Sequence, residues 1–152
     1  MARRERLAAL SDFEHAADQI VERYEAHAAA TGKTPYESPL GTFKRESYKL
    51  LRRTIADEGK HNVIKAIVRR EDVEPARLLY AENPFHFGLL AIDPYRIVIE
   101  KRRLSLWSRQ MAYADRHDVP AHFFLGFLWQ SGSSDDISRK LLDDCREPWF
   151  RR

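Results

Sequence analysis

The sequence predicts an α/β (α+β) fold, a mixed central sheet of about four strands flanked by helices. Three observations predict it. The short apolar runs Phe87-Gly88-Leu89-Leu90-Ala91-Ile92 and Arg96-Ile97-Val98-Ile99-Glu100 flank Asp93-Pro94-Tyr95, a turn signal, as in a β-hairpin. Leu104, Leu106, Trp107, Gln110, Met111 and Ala114 then recur at helical spacing, and Pro120 ends that helix near His117-Asp118. Ala121 to Leu128 follows as an apolar run of strand length. Strand, strand, helix, strand is the order the rest of the chain has to cover.

The other elements follow in turn. Residues 1–30 read as a helix, because Leu7, Leu10, Phe13, Ala16, Ala17, Ile20, Val21 and Tyr24 keep three- and four-residue spacing. Ser11-Asp12 offers the start of a second helix within that stretch. Thr31-Gly32-Lys33-Thr34-Pro35 is a stop signal, and Tyr36 to Leu40 reads as a loop. A second helix is expected from Thr42, as its cap, to Glu58, burying Phe43, Tyr48, Leu50, Leu51 and Ile55. Val63 to Val68 is expected as a strand. Glu71 to Pro84 stays open between a short helix beginning at Pro75 and an irregular crossing. Beyond Ser131-Gly132-Ser133-Ser134, a turn, Asp135-Asp136 caps a last helix from Ile137 to Cys145, and Pro148-Trp149-Phe150 docks back on the body.

The chain is one domain by length, 152 residues, with 43% hydrophobic and 32% charged residues. Its single cysteine, Cys145, excludes an internal disulfide and a cysteine zinc cluster, and reads as a half-buried apolar residue. No apolar run reaches membrane-span length, and the first residues lack the apolar core of a secretory signal, so a cytoplasmic chain with no membrane partner is expected. A net charge of +3 does not diagnose nucleic-acid binding, but basic residues cluster at Arg3-Arg4-Glu5-Arg6, Lys44-Arg45, Arg52-Arg53, Arg69-Arg70, Lys101-Arg102-Arg103 and Arg151-Arg152. The six histidines show no zinc-ligand spacing, and the aromatic set Trp107, Tyr113, Phe123, Phe124 and Phe127 is expected in the core.

From Thr42 onward the order helix, strand, hairpin, helix, strand resembles the core of the PD-(D/E)xK nucleases, the superfamily of restriction enzymes and archaeal Holliday-junction resolvases. Leu89-Leu90-Ala91-Ile92-Asp93 is similar to the family's apolar strand and turn, and Val98-Ile99-Glu100-Lys101-Arg102-Arg103 to its second motif. Gln110 stands where the family's helix glutamine would, and Gly41-Thr42-Phe43-Lys44-Arg45-Glu46 is similar to the opening of the first core helix. The resemblance covers residues 40–128, with 1–39 as an N-terminal helical extension and 131–152 as a C-terminal helix and tail. It implies Glu46, Asp93, Glu100, Lys101 and Gln110 as catalytic candidates, Asp93 and Glu100 among them as ligands of a magnesium ion. Such an ion stabilises charge on the scissile phosphate, and hard carboxylate oxygens suit it.

The sequence departs from the family pattern twice. The ligand aspartate's position falls on Gly88, and Glu100 and Lys101 are neighbours where the family spaces glutamate and lysine by one residue. Reading Glu100-Lys101-Arg102 puts in the lysine's place an arginine that cannot accept a proton. Asp93 is open to two readings, a substitute ligand or a turn former. The expected function is therefore nucleic-acid binding, DNA before RNA, on a nuclease-like core with a degenerate metal site. Lys44, Arg45, Arg52, Arg53, Lys101, Arg102 and Arg103 would contact phosphates. One alternative is a structural or interaction subunit of a viral or plasmid assembly, its terminal helices giving a homodimer surface. The other is an active magnesium-dependent nuclease.

Overall fold

The computed structural model describes residues 2–29 and 38–149, and every regular element among them is helical. The order is α1 (Arg3–Ala29), α2 (Pro39–Ala56), α3 (His61–Arg70), α4 (Pro84–Ile92) and α5 (Lys101–Arg116). A 3-10 turn, Ala121–Phe123, then leads into α6 (Phe124–Ser131), and α7 (Ser134–Leu142) follows. The expected α/β fold is thus corrected to an all-helical one, and the restriction-endonuclease-like sheet is absent from the described residues.

Each expected strand has a physical reason for being a helix. Val63, Ile64, Ile67 and Val68 are the buried residues of α3, while Asn62, Ala66 and Arg69 face out. That is one stripe of a 3.6-residue period, which outweighs their β-branching. Phe124, Phe127, Leu128 and Ser131 repeat the same spacing on α6, so the run 121–128 is a helical stripe as well. The first arm of the expected hairpin is α4, whose residues Phe87 to Ile92 are all buried. A helix apolar on every face belongs in the middle of a bundle, and α4 packs against α1, α2, α3 and α5. The second arm, Arg96 to Glu100, is the connection from α4 to α5.

Gly88 explains how α4 comes so close to α2. A Cβ there would lie 2.4 Å from Cδ2 of Leu51, a fully buried side chain, so only glycine fits.

The helix ends are specified locally. Ser38, not Thr42, caps α2, its side chain accepting the Gly41 N–H at 3.0 Å with Pro39 in the first turn. Asn83 caps α4 ahead of Pro84 by accepting the His86 N–H at 3.3 Å. Ser133 caps α7 in a reciprocal box with Asp136, ahead of the expected Asp135-Asp136 cap. Three helices terminate on aspartates in the left-handed conformation, Asp72 after α3, Asp118 after α5 and Asp144 after α7. The N–H groups of Val73, Val119 and Cys145 close those turns onto carbonyls five residues back. Ser11-Asp12 starts no second helix, since α1 runs through it. Residues 71–83 form the irregular crossing, and the stop at 31–35 and Phe150 lie outside the described residues.

The C-terminal tail is fastened to α5. Arg116 donates to the carbonyls of Lys140, Leu141 and Cys145, neutralising the end of α7. Glu147 is buried and accepts from Tyr113 Oη at 2.9 Å, Lys140 Nζ at 2.6 Å and Trp149 Nε1 at 2.9 Å. Its N–H donates to His117 Nε2 at 2.7 Å, while His117 Nδ1 lies 2.9 Å from the Tyr113 carbonyl, which assigns the ring proton to Nδ1. Cys145, expected half-buried, is exposed. Of the aromatic set, Trp107, Tyr113, Phe124 and Phe127 are buried, while Phe123 is exposed. No helix of the described residues is long and apolar enough to cross a membrane.

Candidate functional site

Asp93 and Glu100, the residues expected to hold a metal, stand at the two ends of the connection from α4 to α5. Asp93 is 3% exposed, and its carboxylate accepts the N–H groups of Ile97, Val98 and Ile99, each at 2.8 Å. Those three donors lie in the chain between α4 and α5, where no helix supplies partners for them. The aspartate is therefore the peg around which that connection winds, and the turn reading of Asp93 accounts for its surroundings. Glu100 stands at the N-cap position of α5, exposed and making no side-chain cap bond. Glu46 is half-buried on α2, 3.4 Å from Arg45 in an ion pair. Among the described residues no group of three or more His, Cys, Asp or Glu side chains is arranged to hold a metal ion.

The expected phosphate contacts divide into several fates. Arg52 is committed internally, bonded to Asp115 at 3.0 Å, to Asp118 and to the Val119 carbonyl at 2.9 Å, which ties α2 to the end of α5. Tyr48 donates to the same carbonyl at 2.7 Å and stacks on Phe124 at 4.0 Å. Lys101, Arg102 and Arg103 occupy the first turn of α5, the positive end of a helix with no acidic residue in that turn. Cations there oppose the helix dipole, so the fold does not account for the triplet. His86 is held below the usual imidazole value, by burial first and by Arg109 second.

A different set of basic residues is brought together. Arg6, Leu7 and Leu10 on α1 face Lys65, Ala66 and Arg69 on α3 across a groove of about 580 Å³ that Glu58 and Gly59 also line. Lys65 and Arg69 are four apart on one helix, so they share a face. None of the three cations forms an ion pair among the described residues, though the Lys65 ammonium rests 4.8 Å over the Tyr80 ring. Val63 also lines a neighbouring depression bordered by Arg53 and Lys60, facing Asp12. One residue from each of two basic clusters far apart in sequence, Arg6 and Arg69, thus meets the other at one surface, while Arg70 pairs with Glu14 and Glu71 elsewhere. The pairing is missed when 63–68 is taken as a strand, and the signal for it was the alternation of Lys65 and Arg69 with a buried stripe at helical spacing.

Lys44 and Gln110, expected apart as phosphate contact and catalytic residue, line one pocket together with Leu125, Leu128, Trp129 and Ser134. Burial draws the Lys44 pKa down to about 8.

Compared with protein-family models, curated proteins and solved structures, the chain matches none of them.

Proposed function

We propose that the protein binds nucleic acid through its phosphodiester backbone, with duplex DNA the expected ligand, in the groove between α1 and α3. The observation that carries this reading is the convergence of Arg6, Lys65 and Arg69 on one groove where none of the three forms an ion pair among the described residues, with Glu58 the acidic residue in its lining. Cations that the fold does not neutralise are available to a polyanion, and guanidinium groups suit phosphate oxygens. Arg53, across Val63, extends the same basic surface, while Lys60 beside it pairs with Asp57 at 3.8 Å. Catalysis is not part of the proposal, because Asp93 has its carboxylate filled by three backbone donors.

The test is fluorescence anisotropy of labelled duplex DNA with the full chain and with the variant carrying Arg6→Glu, Lys65→Glu and Arg69→Glu. The side chains changed are exposed or half-exposed, so helicity by circular dichroism should be retained. The reading predicts binding by the parent chain and at least about a tenfold loss in the variant, since affinity falls with every phosphate that a cation no longer neutralises. Equal binding by both proteins, or loss only on charge reversal of Lys101, Arg102 and Arg103, would overturn it.

A second reading is favoured by Leu7, 56% exposed in the same groove beside Leu10. A second copy of the chain could cover that apolar strip. A homodimer by light scattering that is indifferent to DNA and abolished in Leu7→Lys would support it over nucleic-acid binding.

A further inference from the structure

The surface of α1 beside α3 changes sign along its length. Arg3, Leu7 and Leu10 recur at four- and three-residue spacing, and Glu14, Asp18, Val21 and Glu25 continue it. All therefore share one stripe, next to the buried stripe of Phe13, Ala17 and Ile20. The N-terminal end of that stripe, with Arg6, borders the basic groove. The other end borders a second groove of about 460 Å³, where Glu14, Asp18 and Glu22 are joined by Glu71 of the α3 end and by Tyr95 and Ile97 of the α4–α5 connection. Glu14 and Glu71 both pair with Arg70. Asp18 and Glu22 are exposed and form no ion pair among the described residues, and the same is true of Arg3, Arg6 and Glu25. Tyr95 is 71% exposed and Ile97 63%, so this groove adds apolar side chains to its carboxylates. What fits it is a basic segment with an apolar side chain among its cations. The N-terminal end of α1 is such a segment, with the exposed Leu7 between Arg3 and Arg6.

We propose that two copies of the chain pair through α1, antiparallel about a two-fold axis, so that residues 3–10 of each lie on the acidic groove of the other. A two-fold centred on Glu14 sets Arg3 opposite Glu25, Arg6 opposite Glu22 and Leu7 opposite Val21 in both halves at once, which closes the assembly at a dimer. Parallel pairing sets like charges together and is disfavoured. The two Glu14 carboxylates come together at the axis, each already paired with Arg70 of its own chain. Tyr95 and Ile97 supply apolar cover for Leu7 of the second copy. The pairing takes up Arg6, one of the three cations assigned to DNA, so duplex DNA and a second copy compete for the α1–α3 groove. Only this competition rests on the nucleic-acid reading, and the pairing stands without it.

The test is sedimentation velocity of the full chain at low and high salt, with and without duplex DNA. A dimer is expected at low salt, weakening as salt screens the charges. Asp18→Lys with Glu22→Lys should weaken it at least about tenfold, as should Arg3→Glu with Arg6→Glu, because opposed charges become like charges. The chain carrying all four substitutions should dimerise again, since its charges are exchanged and still opposite. The four side chains are exposed, so each variant should keep the helicity of the parent by circular dichroism, and misfolding cannot produce the recovery. DNA should convert the parent dimer into a DNA-bound monomer, and Asp18→Lys with Glu22→Lys should bind DNA at least as well as the parent. A parent chain that stays monomeric at low salt overturns the proposal and leaves the acidic groove to a basic segment of another protein. A dimer that neither charge reversal weakens, or that the four substitutions together fail to restore, overturns it as well. A dimer that remains intact on DNA overturns the competition. Charge exchange as expected with no DNA binding by any variant upholds the pairing and removes the nucleic-acid reading.

Discussion

The Asp93 carboxylate accepts the backbone N–H of Ile99, six residues further on, at 2.8 Å, and the same oxygen accepts Val98 at 2.8 Å. Through that contact a single buried side chain fixes the path from α4 to α5 and the angle at which α5 begins. Asp93→Ala leaves three donors without their acceptor, two of them on the buried residues Val98 and Ile99. Unpaired buried groups of this kind cost about 1–3 kcal/mol each and do not add fully, so a loss of about 2–4 kcal/mol is expected. Urea denaturation measures it, with Asp93→Asn falling between. A parent-like midpoint for Asp93→Ala would show that other groups hold this turn.

Gly88 and Leu51 make a second testable contact. Alanine at 88 is the better helix former, yet its Cβ would meet a fully buried leucine at 2.4 Å. Overpacking of this kind costs about 1–3 kcal/mol and outweighs the gain in helix propensity of about 1 kcal/mol. Gly88→Ala is therefore expected to lower the thermal midpoint, and Gly88→Ala with Leu51→Ala to be less destabilised than the sum of the two single variants, since the truncated leucine removes the clash.

Glu147 makes the C-terminal fastening acid-sensitive. Burial raises its pKa, but hydrogen bonds from Lys140, Tyr113 and Trp149 outweigh that and hold it below the usual glutamate value. A depressed folded-state pKa gives stability that is complete above the unfolded value of about 4.3 and disappears as pH falls through the folded value. Hydrogen exchange over 140–149 should accelerate below that range. Glu147→Gln should exchange faster than the parent at neutral pH and show no acid step.

Asp72 places a negative charge at the C-terminal end of α3, where the helix dipole disfavours it, in a left-handed conformation that asparagine adopts equally well. Asp72→Asn is expected to raise the melting temperature by about 1–3 °C in differential scanning calorimetry. A lower value would mean that the carboxylate has a favourable role in the 71–83 crossing.

Much of the helical order was legible. The spacing of Phe13, Ala17 and Ile20 marked α1, Phe43 to Leu51 marked α2, and Leu104 to Ala114 marked α5. The sheet was not there to be found among the described residues. Short runs such as Phe87 to Ile92 fit a buried strand and a buried helix equally well, because periodicity disappears when every face is covered. For 63–68 and 124–131 the helical stripe was visible, but β-branched and aromatic composition argued the other way and tertiary packing decided. Asp93-Pro94-Tyr95 was rightly a turn, but it closes a helix and does not join two strands. Of the site residues, Lys44 and Gln110 came together on a surface that no motif spacing could reveal, since α2 and α5 carry them.

The most direct measurement of the central claim is the salt dependence of duplex DNA binding. Three phosphates neutralised give a slope of about −2.7 for log K against log salt concentration, or about a 40-fold loss from 50 to 200 mM. Lys65→Glu with Arg69→Glu should flatten that slope towards about −0.9, the one phosphate that Arg6 still neutralises. A slope near zero, or one unchanged by the two substitutions, would contradict nucleic-acid binding in the α1–α3 groove.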